Sequence, residues 1–155
     1  MARMYSSVFD AVAITAVQDI FAIVAPTNAT VRIHQLDLFQ TTDLGDAQEE
    51  VLRLRIRQGQ TAAGSGGAAG TIVPQDVDDS ASGATVRTND TTQANTGTIV
   101  TDEVFGWNIR VPLRIIWTPE CRPILKGGRR ATIELVGAPT DSITVSGGLI
   151  WQEGS

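Results

Sequence analysis

The chain has 155 residues, of which 42% are apolar and 19% charged, and its formal net charge is −5 at pH 7. This length predicts a single domain, residues 1–155, that buries its own core. The composition excludes a chain that is wholly disordered or wholly embedded in a membrane. The acidic balance argues against general nucleic-acid binding, which needs a basic surface. Cys121 is the single cysteine, so no internal disulfide can form.

The first 26 residues contain apolar runs that polar residues such as Asp10 interrupt. These runs are too short to span a bilayer or to form a convincing signal segment, so we expect synthesis in the cytoplasm without a targeting address. The pattern instead predicts short strands over residues 11–16 and 20–25. Farther on, the apolar residues differ in parity on the two sides of His34. Val31 and Ile33 precede it at odd positions, and Leu36 and Leu38 follow it at even positions. A strand with a bulge or a break near His34 explains this change of phase.

A row of arginines follows the next turn, which residues 43–46 supply. Asp46 and Glu49 have the spacing of a helix capping box, but no helical apolar stripe follows them. Three apolar residues alternate instead with three arginines, in the order Leu52, Arg53, Leu54, Arg55, Ile56 and Arg57. We therefore predict a strand over residues 52–59 with guanidinium groups on its outer face. Like charges two residues apart repel, so these arginines should meet carboxylates on a neighbouring strand or on another subunit.

The arginine row is the leading candidate for an interface. Planar guanidinium donors can clamp the carboxylates of a partner, and the alternative is a solvated strand face with partners inside the chain. The full set of interface candidates is Arg53, Arg55, Arg57, Glu49, Glu50 and Arg87. Glu49 and Glu50 are adjacent, which places them on opposite faces of a strand and weakens any case for a paired acid–base site.

Residues 60–98 differ from the rest of the chain because Gly, Ala, Ser, Thr and Asn dominate there. Such a stretch cannot build a core alone. We therefore predict an extended loop or arm within the domain that becomes ordered on contact with a neighbour. Within it, the short runs 71–73 and 84–86 are candidates for edge strands.

Beyond this arm, every second residue is apolar over residues 105–117, at Phe105, Trp107, Ile109, Val111, Leu113, Ile115 and Trp117. A period of two over this length predicts an extended strand with one buried face. Further strands are predicted over residues 131–136 and 143–151, with Gly147 and Gly148 as a bulge or a point of close contact. Several short strands with frequent turn signals favour an all-β fold, either a β-sandwich or a jelly roll.

The sequence contains no familiar catalytic or metal-binding pattern. His34 is the only histidine, and no serine elbow accompanies it. One histidine and one cysteine cannot supply the usual zinc ligands, and nothing identifies a base for Cys121. Three acidic residues resemble a calcium loop but lack its glycine and glutamate, and they are Asp76, Asp78 and Asp79. We predict neither an enzymatic activity nor a cofactor nor a metal site.

Six stretches of the chain carry a resemblance, namely TAVQDIFAIVAP (15–26), DLGDAQEE (43–50), LRLRIRQG (52–59), TPECRP (118–123), APTDSITVSG (138–147) and LIWQE (149–153). Together they resemble a family of small tailed-bacteriophage proteins that we associate with capsid decoration, or cement, proteins of the head module. The resemblance implies a sandwich or jelly-roll subunit, a dimer or trimer, bound to the major capsid protein on the capsid exterior after synthesis in the host cytoplasm. It supplies no catalytic residue.

Two functions from different classes are therefore expected. The first is a structural virion protein that bridges capsomers through many weak contacts, which symmetric repetition multiplies. The second is a tail- or fibre-associated sandwich that binds host glycans. Its motivation is a stacking platform built from the three tryptophans, Trp107, Trp117 and Trp151. All three share parity with the apolar residues of their strands, which favours core packing instead.

Overall fold

The computed structural model describes residues 1–41 and 49–154. Within them, twelve β-strands form two antiparallel sheets around a shared core, so the protein is an all-β sandwich, as predicted. The strands are β1 (Arg3–Ile14), β2 (Gln18–Val24), β3 (Thr30–Gln40), β4 (Val51–Gln60), β5 (Ala68–Ala69), β6 (Ile72–Pro74), β7 (Thr85–Asp90), β8 (Gly97–Asn108), β9 (Leu113–Ile116), β10 (Ile124–Leu125), β11 (Arg130–Leu135) and β12 (Ile143–Gly154). The predicted turn at residues 43–46, which includes Asp46, lies outside the described residues.

The two sheets are named here by their strand order. Sheet A runs β10–β3–β12–β1–β6, and β9 lies beside β10 on the same edge of β3. Sheet B runs β5–β7–β2–β11–β4–β8. The chain passes from one sheet to the other between its long strands, because β1, β3 and β12 belong to sheet A and β2, β4 and β11 to sheet B. Each long strand thereby turns one apolar face to the common core.

Aromatic side chains fill much of the space between the sheets. Trp151 is fully buried and stacks on Tyr5, with the ring centroids 6.1 Å apart. Trp107 and Trp117 are also buried, as the parity of their positions predicted. Because all three indoles lie in the interior, they offer no platform for stacking sugars.

The first strand is longer than its apolar residues indicated. The structure places β1 at Arg3–Ile14, whereas the sequence predicted a strand over residues 11–16. The register of β1 against β12 shifts between Phe9 and Val12, and Ala11 has a left-handed φ of 52°. Residues on the two sides of this bulge face inward with opposite parity, so no continuous alternation marks the strand in the sequence.

Other strands lie close to their predicted positions. The observed β2, β4 and β11 correspond to the segments predicted at 20–25, 52–59 and 131–136. The bulge near His34 is confirmed: Ile33 pairs with Trp151 and Gln35 with Ile150, which leaves His34 as the extra residue of β3.

The prediction of one strand over residues 105–117 is wrong, because the segment contributes to both sheets. Strand β8 ends at Asn108 in sheet B, and Leu113–Ile116 forms β9 in sheet A. Asn108 builds the turn between them: its Oδ1 accepts a hydrogen bond from Arg110 N at 3.1 Å, and its carbonyl oxygen accepts one from Val111 N at 3.0 Å. Every second residue remains apolar through this turn, so the alternation in the sequence does not reveal that the chain changes from one sheet to the other.

Residues 60–98 lie along the sandwich and add strands to both sheets. Strands β5 and β7 extend sheet B beyond β2, and β6 pairs with β1 at the edge of sheet A, so both short strands expected in this segment form. The backbones are closely packed there, because a Cβ at Gly67 would overlap the Thr88 carbonyl oxygen and come within 2.6 Å of that of Asn89. Contact of this segment with a neighbouring subunit stays a prediction.

Candidate contact surfaces

The arginine row of β4 lies on the outer face of sheet B. Arg55 and Arg57 stand opposite Glu134 and Thr132 of β11. Arg55 forms an ion pair with Glu134. Arg57 Nε lies 3.2 Å from Oε2 of Glu134, and its Nη2 lies 3.5 Å from Oδ1 of Asp19 on β2. These two arginines thus meet carboxylates on neighbouring strands, as predicted.

The segment 91–96, which joins β7 to β8, covers part of this face. Ala94 N donates to Oδ2 of Asp19 at 2.8 Å, and Arg57 donates to the carbonyl oxygen of Ala94 at 3.3 Å. Arg57 also donates to Oδ1 of Asn95 at 2.9 Å. The Arg57 residue is only 5% exposed in consequence. A partner could reach Arg57 only if segment 91–96 moved away.

Arg87 and Arg53 have different surroundings. Arg87 on β7 forms an ion pair with Asp90, Nη2 to Oδ1 at 2.7 Å, and hydrogen bonding to this carboxylate raises the pKa of Arg87. Asp90 also accepts a hydrogen bond from Gly67 N at 3.1 Å, which ties the loop before β5 to the end of β7. Arg53, by contrast, is exposed. It is therefore the member of the arginine row best placed to reach a partner.

Glu49 and Glu50 hold loops of their own chain. Glu50 accepts hydrogen bonds from the backbone N of Thr140 at 3.1 Å and from its hydroxyl at 2.9 Å. Glu49 accepts one from Nδ2 of Asn108 at 3.1 Å. The two carboxylates therefore serve separate contacts at the start of β4.

Asp19 is a buried carboxylate between two acidic neighbours. The residue is 1% exposed, and in the strand register it lies opposite Glu134 of β11 and Asp90 of β7. Burial raises the pKa of Asp19 to about 6; Glu134 and Asp90 add to the rise, while the Ala94 N–H and Arg57 oppose it. The folded protein therefore favours the neutral acid more than the unfolded chain does.

A raised folded-state pKa sets the sign of the pH dependence. The contribution of Asp19 to stability is fully present below its ordinary pKa of 3.8 and is lost as the pH rises through about 6. Relative to Asp19→Asn, the unfolding free energy of the wild-type protein is expected to fall by about 2 kcal/mol between roughly pH 4.5 and pH 7.5. Denaturant titrations at both pH values measure this difference, with the exposed Asp78→Asn as the matched control. A difference that is the same at both pH values would mean that Asp19 titrates normally.

Several large apolar side chains are exposed on the outer face of sheet A. They are Val8, Phe39, Val73, Ile116 and Ile124. The strand register arranges the outward residues of sheet A in four rows. The Ile124 row is Met4, Gln152, Arg32 and Ile124; the Ile150 row is Val73, Ser6, Ile150, Gln35 and Ile116; the Gly148 row is Val8, Gly148, Asp37 and Arg114; and the Phe39 row is Asp10, Ser146 and Phe39.

A groove of about 710 Å³ follows the Gly148 row. Its lining includes Gly147 and Gly148 of β12, Val8 of β1, and Asp37 and Phe39 of β3. Gly147 is the predicted point of close contact, since a Cβ there would lie 2.8 Å from two core side chains. Gly148 faces the groove, and a Cβ there would meet only Val8, at 3.5 Å. The groove therefore exists because β12 carries no side chain at Gly148.

Sequence reasoning missed this groove, although its signals are present in the chain. Val8 and Phe39 are apolar at positions where an alternating strand would place polar residues, and Gly148 interrupts β12. Each signal is weak alone. Only the order of β1, β12 and β3 in sheet A brings the three residues together.

The chemically reactive residues occupy separate places. His34 is half-buried, and burial together with Arg122 lowers its pKa. Cys121 is exposed. Asp79 of the acidic turn pairs with Arg3 at 3.0 Å. Within residues 1–41 and 49–154, no group of three or more His, Cys, Asp or Glu side chains is placed to hold a metal ion.

The chain matches no family model, no characterised protein and no solved structure. In the part of the chain that the structure describes, no helix has the length and apolar character needed to cross a membrane. The geometry of the two outer faces is therefore the structural basis for a functional proposal.

Proposed function

We propose that this protein is a structural component of a tailed-phage virion. As a homo-oligomer it binds the major capsid protein on the outside of the capsid and stabilises contacts between capsomers. The observation that carries the proposal is that large apolar side chains are exposed at two separate surfaces, the outer face of sheet A and the β8 edge of sheet B. Exposed apolar patches on a folded domain mark sites of contact with other proteins. The resemblance of six stretches to phage head proteins supports the biological setting.

We also propose that the sandwich is a jelly roll. The orders β1–β12–β3–β9 in sheet A and β2–β11–β4–β8 in sheet B interleave eight strands between the sheets, as two Greek keys do. Strands β5, β6 and β7 are then an insertion between β4 and β8. Jelly rolls build viral capsid domains, which agrees with the proposal, although a fold alone does not determine a function.

The edge of sheet B formed by β8 is the surface that we propose to face the capsid. Val100 and Val104 of β8 are exposed there, and β4 beside it carries the exposed Arg53. A guanidinium group can pair with carboxylates of the capsid protein, and an edge strand can exchange main-chain hydrogen bonds with a partner. Glycan binding has less structural support, because the three tryptophans that were expected to form its stacking platform are buried.

Capsids assembled with and without this protein test the proposed function. We expect additional density outside the capsid lattice and a higher temperature of capsid disruption when the protein is present. Arg53→Glu should weaken capsid binding, whereas Arg129→Glu, at another exposed arginine, should leave it unchanged. Unaltered capsid density together with unaltered heat resistance would reject the proposal.

A further inference from the structure

We propose that the outer face of sheet A binds the same face of a second copy of this chain, in a two-fold dimer. This inference rests on the homo-oligomer of the proposed function and names its interface. A two-fold contact requires a surface that is complementary to itself, because each copy presents the same residues to the other. The four rows of sheet A meet this requirement in shape, in charge and in area.

The shapes of the two copies are complementary for one position of the two-fold axis. This axis lies in the plane of the interface, perpendicular to the strands, and passes between the Ile150 row and the Gly148 row. Each strand then lies over its own copy in the opposite direction, and the Ile150 row of one chain faces the Gly148 row of the other. Ile150 is half-buried and lies two residues from Gly148 on β12. Each copy thus supplies an outward-facing apolar side chain, Ile150, and an open groove over Gly148 that can receive its counterpart.

The charges at the two ends of this face are opposite in sign. The Ile124 row contains Arg32, and the Phe39 row contains Asp10, whose carboxylate accepts a hydrogen bond from Ser146 at 2.6 Å. The same axis places the Ile124 row of one copy over the Phe39 row of the other. Arg32 on β3 then lies over Phe39 and Asp10 on β1 lies over Met4, so the opposite charges are offset by two strands, or about 10 Å. Asp37 and Arg114, between these ends, already form an ion pair at 2.6 Å and need no partner from the second copy. Opposite charges at the two ends favour this antiparallel arrangement over one that superposes like ends.

The face is large enough for a stable contact. Strands β1, β12 and β3 each contribute about eight residues, whereas β9 and β10 together supply six and β6 supplies three. At about 4.8 Å between strands and about 3.3 Å per residue, the face measures roughly 500 Å² for each copy. A dimer would bury roughly 1,000 Å² in total, the minimum expected of a specific interface. Two sheets packed face to face at about 10 Å keep their strands within about 30° of each other, so the contact needs no rearrangement of sheet A.

The substitution Gly148→Gln tests the dimer because it fills the groove without disturbing the fold. A Cβ at Gly148 meets only Val8, at 3.5 Å. Gly137→Gln is the matched control, since a Cβ there meets nothing within 4 Å and the residue is exposed in a loop. Sedimentation of the full chain should show a wild-type dimer, a dissociation constant raised at least tenfold by Gly148→Gln, and no change for Gly137→Gln. Near-ultraviolet circular dichroism should be the same for all three proteins.

A wild-type monomer at about 100 μM, a trimer, or a dimer that Gly148→Gln leaves intact would overturn the inference. A monomer whose capsid binding is abolished by Gly148→Gln would assign the face to the capsid protein and would also overturn it. Failure of the proposed function looks different: the dimer would respond to Gly148→Gln as expected, while capsids would gain neither density nor heat resistance.

Discussion

Replacing Arg57 by methionine is expected to lower the unfolding free energy by about 3–5 kcal/mol. Arg57 is buried on the outer face of sheet B, within reach of the carboxylates of Asp19 and Glu134. Removing the guanidinium group leaves these two carboxylates buried without the cation between them. Methionine fills a similar volume with a flexible apolar side chain, so the loss should report mainly the missing charge and hydrogen bonds.

Arg53→Met is the matched control, because Arg53 lies on the same face of the same strand but is exposed. Its effect should stay within about 0.5 kcal/mol. Urea unfolding followed by the fluorescence of the buried tryptophans measures both variants. Part of the Arg57→Met loss should be recovered at about pH 5, where Asp19 becomes neutral. Equal losses for the two variants would show that burial beneath segment 91–96 does not determine the importance of Arg57.

Gly59→Ala is expected to lower the unfolding free energy by about 3 kcal/mol. Gly59 has a left-handed φ of 99°, which residues with a side chain rarely adopt. In addition, a Cβ at this position would overlap the carbonyl oxygen of Thr98 on β8. The register of β4 against β8 shifts between Gln58 and Gln60, so the substitution acts on the pairing that holds the edge of sheet B.

Gly137→Ala serves as the control for Gly59→Ala, because a Cβ there meets no atom within 4 Å. Its unfolding free energy should match that of the wild-type protein within about 0.5 kcal/mol. Hydrogen exchange should locate the damage of Gly59→Ala in β8 and leave sheet A protected. A loss below about 0.5 kcal/mol for Gly59→Ala would mean that the backbone near Thr98 relaxes freely.

Alternation of apolar residues located a strand where at least three inward residues share one parity, and it failed where a bulge or a turn altered the relation between parity and sheet. Strands β4 and β11 were predictable because each contains three apolar inward residues in strict alternation, at Leu52, Leu54 and Ile56 and at Ala131, Ile133 and Leu135. The bulge at Ala11 changes the inward parity of β1, and its first part was missed. The turn at Asn108 preserves parity, so two strands of different sheets looked like one. A local pattern reports which face a residue takes and carries no information about which sheet it joins.

The contact surfaces were less predictable than the strands. Repulsion within the arginine row correctly indicated carboxylates nearby, and Glu134 and Asp19 supply them. The burial of Arg57 could not be anticipated, because it depends on the path of segment 91–96, which residue types alone do not determine. The groove over Gly148 arises from three strands that are distant in sequence. Its existence follows from topology, which no single segment encodes.

The position of β12 has a consequence for synthesis on the ribosome. β12 lies between β3 and β1 in the middle of sheet A, and its pairing joins Glu153 to Arg3. A nascent chain therefore cannot complete sheet A before residues 143–154 emerge. Until then, the edges of β1 and β3 that pair with β12 have no partner strand. Pairings so remote in the chain slow folding, and edges left open during the delay favour aggregation. Late closure of this kind should make the yield of native protein sensitive to chaperones and to the rate of translation.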